Sequence, residues 1–131
     1  MTGTSVAKIR VVVVDDAPEV LRFMRHYIDR EDRLTIVGEA ETGVEGLRLV
    51  QELHPDVLLL DLVMPEMDGL DVLRELRSND GRQPKVIIVS SSAAADAEQA
   101  CVRLGAERYL EKSKGFEQVP GVILEVAEIP T

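Results

Sequence analysis

Five side chains of this sequence are of types that could do chemistry together: Asp15, Asp16, Asp61, Ser90 and Lys112, each closing a strand-like stretch. In LLLDLVMPEMDG, residues 58–69, Asp61 ends an apolar run and is followed at once by a turn. An ionised carboxylate at the end of a buried strand is costly unless something meets it. Three close carboxylates repel one another unless a cation sits among them. Mg2+ suits such a group, because it takes oxygen ligands, keeps several waters and binds through one or two carboxylates plus phosphate oxygens. Neither thiolate nor imidazole stands at these strand ends, which argues against zinc. With a cation beside it, Asp61 stays ionised and can act as a nucleophile, and a carboxylate that attacks a phosphoryl group becomes an aspartyl phosphate. Such transfer depends on positioning and charge neutralisation, for which Mg2+, Lys112 and the Ser90 hydroxyl are the candidates.

These residues converge only if the intervening elements place them on one rim. IRVVVVD (9–15), PDVLLLD (55–61) and KVIIVS (85–90) are near-continuous apolar runs rich in β-branched residues, suited to strands covered on both faces. TIVGEA (35–40) and RYLEK (108–112) are more polar and read as edge strands. Helical periodicity lies between them. Val20, Met24, Tyr27 and Ile28 share a face over about 17–30, and Val44, Leu47 and Val50 over about 43–53. Leu70, Leu73 and Leu76 mark a third helix ending at the SNDG turn, and Ala97, Ala100, Cys101 and Leu104 a fourth that Gly105 stops. A last helix falls within 116–128, shortened to start near Pro120 or kinked there. Five strands alternating with helices imply a doubly wound α/β domain, and strand order 2-1-3-4-5 puts the two polar strands at the edges. In a parallel sheet of this kind all strands deliver their C-terminal ends to one rim, where ligands bind.

A chain of 131 residues with 45% apolar and 30% charged residues fits one folded domain over 1–131. Its net charge of −9 disfavours DNA, RNA and anionic lipid as direct partners and favours cations and basic surfaces. The single cysteine, Cys101, can form neither an internal disulfide nor a thiolate metal site, which suits a reducing cytoplasm. No apolar run reaches membrane-spanning length, and MTGTSVAK lacks a signal-peptide core.

The set VVVVDDAPEVLR, VLLLDLVMPEMDGL, VIIVSSS and GAERYLEKS, in that order at strand ends, resembles the receiver domain of two-component response regulators over roughly residues 8–128. The resemblance implies a flavodoxin-like (βα)5 fold and a phosphoacceptor, Asp61, that takes phosphate from a phosphohistidine on a sensor kinase or phosphotransfer protein. It implies direct Mg2+ binding by Asp16, binding by Asp15 mainly through water, and a further ligand in the Val63 carbonyl. Lys112 would pair with the phosphoryl group and Ser90 would hydrogen-bond it. Tyr109 would move inward behind Ser90, altering the surface of the fourth helix, fifth strand and fifth helix for a downstream partner or a second copy. Phosphorylation adds roughly two negative charges at the rim, enough to bias a two-state face.

Two positions depart from the pattern. Val63 is apolar where many relatives carry a polar side chain; it and Ser92 occupy positions that tune phosphate loss, so Val63 implies a longer-lived phosphoryl state. Ser113 stands where relatives usually have a cis proline, which bears on the loop and on the reach of Lys112. Taken singly, the aspartate pair reads as a helix cap, Ser90 as a strand-end hydroxyl, Lys112 as a surface charge and Tyr109 as a packed aromatic; their coincidence favours the site. Cys101 reads as core, and His26 and His54 receive no catalytic role. An enzyme reading, a Mg2+ phosphohydrolase of the haloacid dehalogenase type, needs a second aspartate two residues after the nucleophile, where this chain has Val63. A pseudo-receiver that never takes phosphate is opposed by the acidic pair and lysine. The TIVGEAETG and VSSS segments also resemble receivers that precede DNA-binding or methylesterase domains, whereas the short tail after Ala127 is expected of a stand-alone receiver or of one trimmed from a longer regulator.

Overall fold

The structure, a computed structural model, describes residues 7–91 and 95–130. The chain alternates strand and helix throughout: β1 (Ile9–Val14), α1 (Pro18–Ile28), β2 (Leu34–Ala40), α2 (Gly43–Leu53), β3 (Val57–Asp61), α3 (Gly69–Ser78), β4 (Lys85–Ser90), α4 (Ala95–Arg103), β5 (Arg108–Glu111) and α5 (Val119–Ala127). The strands pair in parallel in the order β2-β1-β3-β4-β5, as the polarity of the edge strands predicts.

Alternation along the strands builds two apolar layers. Val12, Val14, Leu58, Leu60, Val86 and Ile88 pack on one face under α2, α3 and α4, where Val50, Val72, Leu73, Leu76 and Cys101 meet them. On the opposite face Val11, Val13, Val57, Leu59, Ile87 and Val89 pack against Met24 and Ile28 of α1 and Ile123 and Val126 of α5. Because β1, β3 and β4 are clamped between layers, their C-terminal residues are held in a fixed array, which forms the candidate site.

The helix ends follow local chemistry. Asp68 and Asp71 form a reciprocal capping box at the start of α3, and Gly105, at φ 87°, turns the chain out of α4. Pro120 lies in the first turn of α5, so the shortened helix is the observed one. Two expectations are corrected. Val44 is 63% exposed; α2 meets the sheet through Gly46 and Val50 while Gly43 lies against Met67 and Val72, and a Cβ on Gly46 would come within 2.7 Å of a Val14 methyl carbon. Close approach selects glycine there, so Val44 faces solvent, while Leu47 and Val50 pack on the core as the periodicity predicts. β5 stops at Glu111, and Lys112 opens a 3-10 turn, Lys112–Lys114, instead of ending the strand. Among the described residues no helix is long and apolar enough to cross a membrane.

Candidate functional site: an acidic rim around Asp61

Asp15 follows β1 directly and is buried, its backbone N–H bonded to the Ala40 carbonyl at 3.0 Å. Its Oδ1 accepts the Ala17 N–H at 2.9 Å, an Asx-type turn that fixes the chain just before α1, whose own N-terminus has no side-chain cap. Its Oδ2 meets Lys112 Nζ at 2.9 Å. Both oxygens are thus engaged. Asp16 turns outward and is exposed. Asp61, the last residue of β3, is 4% exposed and lies 3.4 Å through Oδ1 from the same Lys112 Nζ. One ligand oxygen from each of Asp15, Asp16 and Asp61 can be chosen so that all lie within 4.8 Å of one another.

Three carboxylates against one ammonium leave the rim short of positive charge. Burial raises the Asp61 carboxyl from its ordinary 3.8 to about 6; the Asp15 charge adds to the rise, while Lys112 and a hydrogen bond from the Val63 backbone N–H oppose it. For Lys112, burial alone disfavours the ammonium, but the Asp15 hydrogen bond and charge, then Asp61, outweigh it and leave the group above its ordinary value. Lys112 therefore stays charged and is shared between two acids that it cannot both neutralise.

Ser90 ends β4, fully buried, on the strand next to Asp61. Ser91 is exposed, and Ser92 lies outside the described residues. Tyr109 is half-buried against the apolar layer under α3 and α4, opposite Ile88 and two residues back along β5 from Glu111, which pairs with Ser90. Lys112 keeps its reach although Ser113 occupies the 3-10 turn. The side chain of Val63 is 64% exposed. Its N–H, turned to Asp61, is a contribution that the sequence did not reveal, since no side-chain type signals it. Gly69 lets α3 begin against the strand end: its N–H bonds Leu62 O at 2.9 Å, and a Cβ would run into the Asp61 carbonyl oxygen. The Cys101 thiol is fully buried, and burial, then Asp68 and Glu98, push its pKa up, so it is an inert core group. His26 packs edge-on to Tyr27 on α1 and His54 ends α2, so neither histidine joins the rim.

The donor set is all oxygen and anionic, with one ligand oxygen from each aspartate within 4.8 Å of the others, which fits a hard divalent cation such as Mg2+.

A family profile described as the response regulator receiver domain matches residues 11–123. A protein-glutamate methylesterase/protein-glutamine glutaminase 5 of Myxococcus xanthus is 46% identical over 110 residues; the match takes in 83% of this chain and 31% of that protein, so the chain spans about a third of its relative. The signal receiver domain of the putative response regulator NarL from Mycobacterium tuberculosis superposes with a TM-score of 0.88 at 30% identity, covering 95% of this chain and 99% of that one. The response regulator domain of Thermotoga maritima CheB superposes at 0.83 with 29% identity and the same coverage.

Proposed function

The chain belongs to the response regulator receiver family, and from that premise we propose that Asp61 is its phosphoacceptor, charged by a histidine kinase or phosphotransfer protein. An Asp61 oxygen attacks the phosphorus of a phosphohistidine: the P–O bond forms as the P–N bond breaks, and the imidazole leaves with the electron pair and takes a proton. Lys112 and the Ser90 hydroxyl hold the phosphoryl oxygens. Asp16, Asp61 and the Val63 carbonyl would hold Mg2+ directly; Asp15, already committed to Lys112 and Ala17, would do so through water. Bound there, Mg2+ neutralises charge on the phosphoryl oxygens. The phosphoryl group then draws Ser90 and Tyr109 toward it and changes the α4, β5 and α5 face that a downstream partner or second copy reads.

One observation carries this reading: Asp61 is buried, faces Asp15, and shares a single ammonium with it, so carboxylates outnumber cationic side chains at the rim. The test is intact-mass measurement after incubation with acetyl phosphate and Mg2+. The parent gains one phosphoryl group, and Asp61→Asn gains none. No gain in the parent, or an equal gain in the variant, overturns the assignment. Exposed, apolar Val63 offers nothing to orient an attacking water, so Val63→Asn is expected to speed phosphate loss; equal rates would remove Val63 from that role.

The methylesterase relative favours a second layer, in which the receiver governs a methylesterase or glutaminase effector. Support would come from phosphorylation-dependent binding of the chain to such an effector domain, against a DNA-binding effector as the comparison.

A further inference from the structure

Lys112 is held at the rim by a loop that ought to be loose. Its 3-10 turn begins at Glu111 without a side-chain cap, Ser113 and Lys114 are exposed, and one hydrogen bond, Gly115 N–H to Lys112 O at 3.1 Å, closes it. Serine at 113 leaves free the dihedral that a proline would fix. A lysine is a flexible four-carbon stem, so its reach depends on where its backbone is fixed.

Just past the turn, at Gly115 (φ 88°), the chain swings over α1, and Phe116 stacks on Phe23 with ring centroids 5.5 Å apart and planes 12° from parallel. The Phe116 carbonyl then accepts the Val119 N–H at 3.1 Å, joining the loop to α5. Phe23 belongs to α1, the N–H of Ala17 immediately before that helix is bonded to Asp15, and Asp15 binds Lys112. The contacts form a closed circuit: Asp15 to α1, α1 to Phe23, Phe23 to Phe116, Phe116 through Gly115 to Lys112, and Lys112 back to Asp15.

We infer that the Phe23–Phe116 stack sets the position of Lys112, making these two phenylalanines positioning residues for the ammonium at the rim. The inference deepens the receiver reading and rests on it only for the consequence in phosphoryl transfer. Elsewhere in the loop Ser113, Lys114, Glu117 and Gln118 are exposed, so Phe116, stacked on Phe23 and packed against the apolar layer shared by α1 and α5, is the part that ties it down.

Two measurements on the full chain test this. The first is acylation of lysines by an amine-reactive ester, followed by peptide mass spectrometry, which needs no phosphorylation. Labelling of Lys112 rises about fivefold in Phe23→Ala and Phe116→Ala, as a freed side chain samples solvent, while Lys8, Lys85 and Lys114 keep their parent rates and Phe116→Tyr restores protection. Unchanged Lys112 labelling overturns the inference. Phe23 is half-exposed, so Phe23→Ala leaves the core whole even if Phe116→Ala opens it. The second is phosphoryl uptake from acetyl phosphate with Mg2+: it slows about tenfold in Phe116→Ala and also in Lys112→Ala, and no further in the double variant. A further loss in the double variant would show that Phe116 acts elsewhere and would overturn the inference. A parent that takes no phosphate while Lys112 labelling still rises would remove the phosphoacceptor assignment and leave the positioning role standing.

Discussion

Strand β3 has an aspartate at either side, Asp56 before it and Asp61 at its end, and the two live in opposite conditions. Asp56 accepts the Arg10 backbone N–H at 2.9 Å through Oδ2 and the Arg82 guanidinium at 2.6 Å through Oδ1, with its side chain about a third exposed. Around it the charges match: Arg10 also donates to the carbonyls of Leu53 and His54, closing the end of α2. Asp61, five residues on, is buried, faces a second buried carboxylate and receives a share of one ammonium. The same residue type at the two ends of one strand is satisfied at the lower rim and under-satisfied at the upper one. The upper rim keeps an unfavourable charge state that a cation would relieve, which marks a binding site in a way that an acidic residue alone does not.

The largest effect that should separate the rims comes from removing the shared ammonium. Lys112→Ala leaves Asp15 and Asp61 facing each other in a buried setting, and should cost about 3 kcal/mol in metal-free urea unfolding at neutral pH. Most of that loss should return in the double variant with Asp61→Asn. If Lys112→Ala unfolds like the parent, the upper rim is not under strain and the contrast is void.

Next in size is a gain. The folded-state pKa of Asp61, about 6, lies above its ordinary 3.8, so the folded chain holds this proton more tightly than the unfolded chain does. On this account stability is fullest below about pH 4 and declines as pH climbs through 6. Asp61→Asn, which carries no such penalty, should exceed the parent by about 2 kcal/mol at pH 7.5, the difference fading toward pH 4. Parallel stability curves for the two proteins across that range would contradict the assigned cause.

The sequence made the upper rim legible because its signal is residue type at strand ends, and strand ends were marked by long apolar runs. Asp15, Asp61 and Ser90 stand where those runs stop, and the edge and centre strands sorted correctly by polarity. What escaped was set by backbone geometry and by close approach. The Val63 N–H aimed at Asp61 has no side-chain signature. Val44 was misplaced on the inner face of α2, though Leu47 and Val50 were not, because two glycines, which carry no hydrophobic signal, do the packing at Val14 and Val72. Lys112 was read as the end of a strand because a 3-10 turn of three residues is too short to show a period. The stack of Phe23 on Phe116 joins residues far apart in sequence, and no local pattern announces it.

Mg2+ should stabilise the parent by about 1 kcal/mol at roughly ten times its dissociation constant, and Asp16→Ala should remove that gain while changing metal-free stability little, since Asp16 is exposed. An undiminished gain in the variant would move the cation away from the carboxylate cluster.

The smallest effect belongs to the lower rim. Arg82 is 67% exposed in its ion pair with Asp56, so water and salt already screen most of the attraction. After Arg82→Ala, Asp56 keeps the Arg10 N–H and gains solvent, so neither oxygen is stranded. The loss should be about 0.5 kcal/mol and shrink further in high salt. A loss comparable to that of Lys112→Ala would show that the lower rim is as tightly coupled as the upper, and under-satisfaction would then cease to distinguish the site from the scaffold.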